Sequence, residues 1–88
     1  MPSSDLKARM YFDQGRQSFA QQHFDVASDS FRSAIDTDPQ FHEAHRYLAE
    51  SFEKLGYKHR AKKAWEALLR ISSDVATKEE VQKRISAL

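Results

Sequence analysis

Ala44 to Ile71, AHRYLAESFEKLGYKHRAKKAWEALLRI, is the stretch whose periodicity decides the fold. Ala44, Leu48, Ala49, Phe52 and Leu55 recur at helical spacing before Gly56, and Ala61, Ala64, Trp65, Leu68 and Leu69 do so after it. Each half carries one apolar stripe, and a helix with one apolar stripe needs a partner to bury it. Gly56 supplies the backbone freedom needed where the first of these helices stops. Ala49 and Ala61 are small enough for two backbones to approach closely. The stretch predicts two amphipathic helices folded back on one another.

The same unit stands upstream by a fixed interval. Ala27 and Ala61, Phe31 and Trp65, Ile35 and Leu69, and Gly15 and Ala49 are each 34 residues apart, small matching small and large matching large. A period of 34 marks one family of stacked helix–turn–helix arrays. Tyr11, Gly15, Ala27, Phe31, Ala34 and Asp38-Pro39 in the first unit, and Leu48, Ala49, Phe52, Gly56, Ala61 and Trp65 in the second, fit its pattern. Residues 8–41 and 42–75 thus resemble two tetratricopeptide repeats. Ser18, Gln22, Lys58 and Ser73 depart from the pattern at an aromatic, a turn glycine, an aromatic and the closing proline. The resemblance implies an all-α, right-handed α-α superhelix of five antiparallel helices, two hairpins and a C-terminal cap. It also implies a protein-interaction module.

A chain of 88 residues makes one small domain, 1–88, with a modest core. Stacked repeats stabilise one another, so two of them need a cap. The absence of cysteine removes disulfides and thiolate metal sites, and a cytoplasmic location is expected. No apolar run reaches the roughly 18 residues of a membrane span, and Met1 to Met10 hold no signal-peptide core. Residues 1–44 carry four Lys/Arg and seven Asp/Glu, and residues 45–88 carry ten and six. Halves of charge −3 and +4 can attract within a molecule or between two.

Ser3 or Ser4 is expected to cap a first helix that holds Asp5 in its first turn and runs to about Gln21. Its inner stripe reads Leu6, Met10, Tyr11, Gly15 and Ser18, with Phe12 and Phe19 on a neighbouring face beside Arg9 and Arg16. The second helix follows His23-Phe24-Asp25 and ends near Asp36. Asp38 as N-cap, with Pro39 at the first helical position, is expected to open a third helix reaching Leu55. The fourth, Lys58 to Ile71, crowds cations at the end whose dipole prefers anions. Thr77-Lys78-Glu79-Glu80 reads as a capping box for the last helix, 77–88. Its stripe, Val81, Ile85 and Leu88, lies about two residues off the repeat register, so the cap is expected to pack on helices three and four in a rotated position.

In tetratricopeptide arrays the first helix of each repeat lines a concave groove. The resemblance places Arg9, Phe12, Arg16, Phe19 and Ala20 there from repeat one, Glu43, Arg46, Glu50 and Glu53 from repeat two, and Gln82 and Ser86 from the cap. Two readings stand. A partner peptide or helix lies over Phe12 and Phe19 with its carboxylates on Arg9, Arg16 and Arg46; or both phenylalanines are packing residues and Arg16 pairs with Glu50. The Lys and Asn residues by which some relatives grip a C-terminal carboxylate have no counterpart among Phe12, Arg16, Arg46 and Glu50.

Lys58, Arg60, Lys62 and Lys63 form a secondary basic patch, either for phosphate, an acidic protein or anionic lipid, or simply a solvated face. Balanced charge and the absence of interleaved aromatics set nucleic acid aside, and the lack of an apolar span makes a membrane an unexpected partner. His42 and His45 have a metal-compatible spacing but no third ligand, and no metal or cofactor is expected. There is no nucleophile elbow, glycine-rich phosphate loop or carboxylate pair in an apolar setting, so neither enzyme activity nor a small-molecule substrate is expected. Trp65, matched by Phe31, belongs in the core. The expected function is an adaptor or scaffold holding a peptide or helix of another protein, in which Arg16→Glu or Phe12→Ala abolishes capture and leaves helicity intact. The alternative is a structural unit that forms homo-oligomers through repeat edges or helix exchange.

Overall fold

The computed structural model describes residues 3–88; Met1 and Pro2, the start of the polar lead-in, lie outside the described residues. Five helices follow in order: α1 Leu6–Ala20, α2 Phe24–Thr37, α3 His42–Lys54, α4 Lys58–Ile71 and α5 Val75–Ser86. No strand occurs among the described residues. Each helix packs against the next, and the short connections make neighbours antiparallel. α1 with α2 and α3 with α4 are the hairpins that the periodicity predicts, and α5 lies against α4. No helix is long and apolar enough to cross a membrane among the described residues.

Residues one period apart occupy matching places. Ala27, Phe31, Ala61 and Trp65 are all fully buried. An aromatic seam joins the hairpins: Phe12 stacks 4.7 Å from Phe41 and 5.5 Å from Tyr47, which in turn lies 5.3 Å from Phe31. This seam corrects the stripe expected for α1. Leu6 and Met10, expected inside, are 68% and 56% exposed, whereas Phe12 is 6% exposed. Phe41 and Tyr47 of the second hairpin close over Phe12, a contact no single-helix pattern contains.

Three helix starts also differ from expectation. Asp5, not Ser3 or Ser4, caps α1 by accepting the Ala8 N–H at 3.0 Å. Ser3 is buried and donates to the Asp38 carboxylate. Asp38-Pro39 does not open α3; Asp38 ends α2 and forms a corner in which its carboxylate accepts the Gln40 N–H at 3.1 Å and its carbonyl the Phe41 N–H at 3.1 Å. Those two bonds hold the backbone outside the helix until Phe41 has entered the core. Asp74, not Thr77, caps α5, accepting both the N–H and the hydroxyl of Thr77. These bonds, the hydroxyl's first, lower the Asp74 pKa.

His45, buried on α3, holds the same corner by placing Nε2 2.8 Å from the Pro39 carbonyl oxygen. Burial lowers its pKa, against the opposing effect of that carbonyl; His42 and Arg70 add to the lowering and Asp38 opposes it. The unfolded chain therefore binds the proton more readily than the folded one, so stability is full above pH 6.5 and falls as the pH drops towards the lowered native value. Urea unfolding across that range should show this slope, and His45→Gln should flatten it.

Gln22 has φ 64° and Gly56, one period later, φ 79°. The turn between the helices of each hairpin thus demands the left-handed region, where glycine is unstrained and a residue with Cβ costs about 1–2 kcal/mol. Gln22→Gly should raise unfolding free energy by about 0.5–1 kcal/mol after the added chain entropy of glycine is deducted, measurable as a higher urea midpoint.

Candidate functional site

α3 touches α1 and is bonded through charged side chains to α5, and the groove residues expected on α1 divide into three groups. Phe12 belongs to the core, which corrects its assignment as a docking residue. Phe19 is half-buried, meeting Phe24 at 5.1 Å and Tyr47 at 5.4 Å edge-on. Arg9, Arg16 and Ala20 are exposed, and the Arg16 guanidinium stands 5.9 Å over the Phe12 ring. The packing alternative for the phenylalanines therefore describes Phe12, but its Arg16–Glu50 ion pair does not form. Both groove arginine–carboxylate pairs run to α5 instead.

Arg46 grips Glu80 with two hydrogen bonds of 2.8 and 3.1 Å, and Glu50 accepts from Arg84 at 3.2 Å. The bond from Arg46 is the main reason the Glu80 pKa is lowered. Beneath these pairs lies Trp65, fully buried, with the guanidinium of Arg84 4.9 Å and that of Arg46 5.9 Å from its ring. Its indole N–H donates to Glu53. Glu53 is thus tied down by the core tryptophan, and Arg46 and Glu50 by the last helix. Partly exposed ion pairs contribute only about 0–1 kcal/mol each; they set the register of α5 more than its stability.

That register corrects the position expected for the cap. Arg46 and Glu80, like Glu50 and Arg84, are 34 residues apart, so α5 keeps the repeat interval and is not shifted by two. Gln82 and Ser86, expected on the groove face, line a depression on the outer side with Glu79, Lys83 and Ala87. They stand one period after Leu48 and Phe52, and polar residues there leave α5 with only its inward arc apolar. The signal was present in the sequence as opposite charges at the repeat interval.

The secondary basic patch, Lys58, Arg60, Lys62 and Lys63, is exposed along the start of α4. α4 has no acidic residue in its first turn and no side-chain cap; Arg60 covers the Tyr57 ring at 5.3 Å. His42 and His45 do not converge: His42 directs Nδ1 to the Gln40 carbonyl at 2.8 Å and Nε2 to that of Ile71 at 3.1 Å, while His45 meets Pro39. No protein-family model matches the chain, and no curated protein matches it.

Proposed function

We propose that the chain is a two-repeat tetratricopeptide-type module that binds a segment of another protein across the face of α1, α3 and α5. The observation that carries this reading is the uneven use of charge on that face. Arg46, Glu50 and Glu53 are each engaged within the domain, whereas Arg9 and Arg16 form no ion pair among the described residues. The latter two stand two helical turns apart, about 10 Å along the axis, beside the half-buried Phe19. A segment with carboxylates at that separation and an apolar residue beyond the one that meets Arg16, over Phe19, would complement the α1 end.

Arg9→Glu combined with Arg16→Glu changes exposed residues only and should leave helical circular dichroism intact. Capture of partner proteins from the native host, identified by mass spectrometry, should yield a protein that the wild-type chain retains and this variant loses. Identical capture by both chains would overturn the assignment. Phe12→Ala no longer serves as a surface probe, because its ring is part of the seam between hairpins. Self-association, the competing reading, draws on Leu6 and Met10, exposed on the outer side of α1; sedimentation velocity showing a strict monomer at high concentration would remove it.

A further inference from the structure

The α2 and α4 backbones stand further apart than those of the paired helices. Between them runs a cleft made of two adjoining depressions of about 380 and 230 Å³ that share Arg32, Leu48 and Ala64. Its floor comes from α3, where Leu48 and Phe52 keep 9% and 7% of their surface exposed. Ile35 of α2 and Ala67 of α4 line its walls, Arg60 and Lys63 line one end, and Arg32 stands where the two depressions meet. None of these three cations forms an ion pair among the described residues. The opposite end holds a single carboxylate, Asp36.

We propose that this cleft docks an acidic amphipathic segment of a partner protein, its apolar side chains on Leu48 and Phe52 and its carboxylates on Arg32, Arg60 and Lys63. Charge complementarity decides the sign of the occupant: three unpaired cations around an apolar floor exclude a basic segment and favour an acidic one. Shape decides its class. The floor is recessed between two helices, so a flat bilayer surface meets the cations but not the floor, whereas a peptide side chain reaches both. The volume admits a few side chains and lies near the lower limit, about 300 Å³, of pockets that enclose a small ligand. The site is separate from the α1, α3 and α5 face, and either can fail without the other.

The test uses the full chain and a fluorescent synthetic peptide of about four helical turns, with leucines along one face and glutamates elsewhere. The expected result is saturable binding, weakened at least about tenfold by Arg60→Glu with Lys63→Glu and unchanged by Arg9→Glu with Arg16→Glu. Amide chemical-shift changes should centre on Ile35, Leu48, Phe52, Ala64 and Ala67. The same peptide with lysine for glutamate should not bind. Circular dichroism of each variant separates lost binding from lost folding. The proposal is overturned by absence of saturation up to roughly 1 mM, or by shifts centred on α1. It is equally overturned if phosphatidylserine vesicles bind the chain through Arg60 and Lys63 while the peptide does not, or if the wild-type chain fills the cleft by dimerising and the Lys63→Glu chain stays monomeric.

Discussion

Trp65→Ala should lower the unfolding free energy by about 3–5 kcal/mol, the usual effect of emptying a buried tryptophan site. The side chain is fully buried at the junction of α3, α4 and α5, so no exposed surface is available for the site to collapse onto. A small domain sits towards the low end of the roughly 5–15 kcal/mol typical of folded proteins. The substitution therefore removes a large part of the total. Its effects should extend beyond the cavity: Glu53 loses its donor and the Arg46 and Arg84 guanidinium groups lose the ring beneath them. Trp65→Phe keeps most of the volume and isolates the indole N–H, for which about 1 kcal/mol is expected. Urea unfolding followed by circular dichroism measures both. A Trp65→Ala chain with an unchanged midpoint would mean that the residue serves a surface role and not the core.

Gly15→Val should be comparably damaging, by about 3 kcal/mol, through the opposite fault. A Cβ at this position would lie 2.6, 2.7 and 3.0 Å from three ring atoms of Phe31. The ring has little room to withdraw, being fully buried with Phe12 at 5.7 Å and Tyr47 at 5.3 Å. Glycine inside a helix ordinarily costs about 1 kcal/mol relative to alanine; here it is what allows α1 to approach α2. Even Gly15→Ala should lose stability on balance. Phe31→Leu, which shortens the opposing side chain, should be less harmful in the Gly15→Ala background than alone, and the double-mutant cycle measures that coupling. A stabilising Gly15→Ala would show that the two helices have slack at this point.

The matching of small with small and large with large at 34 residues made the hairpins, the burial of Phe31 and Trp65 and the full extent of α4 legible without coordinates. Features set by one further contact were not. Asp38-Pro39 carries a good local capping signal, yet Ser3 and the demand to bury Phe41 give that corner another use. The resemblance puts Phe12 on the groove face, and its burial depends on Phe41 and Tyr47 of the neighbouring unit, which the pattern of α1 alone does not contain. The candidate face was half legible: Arg9 and Arg16 are exposed as expected, but the partners of Arg46 and Glu50 required the repeat interval to be carried strictly into α5. The cleft between α2 and α4 leaves no periodic trace, since it depends on the spacing of two helices that are not neighbours in sequence.

Placing the single indole of the chain under the arginines of α3 and α5 gives the molecule an optical report confined to one end. Under excitation selective for the indole, the protein emits from that junction alone, silent about the phenylalanine-rich first hairpin. Loosening of α5 should shift that emission to the red and admit acrylamide quenching while the far-ultraviolet signal of the remaining helices persists.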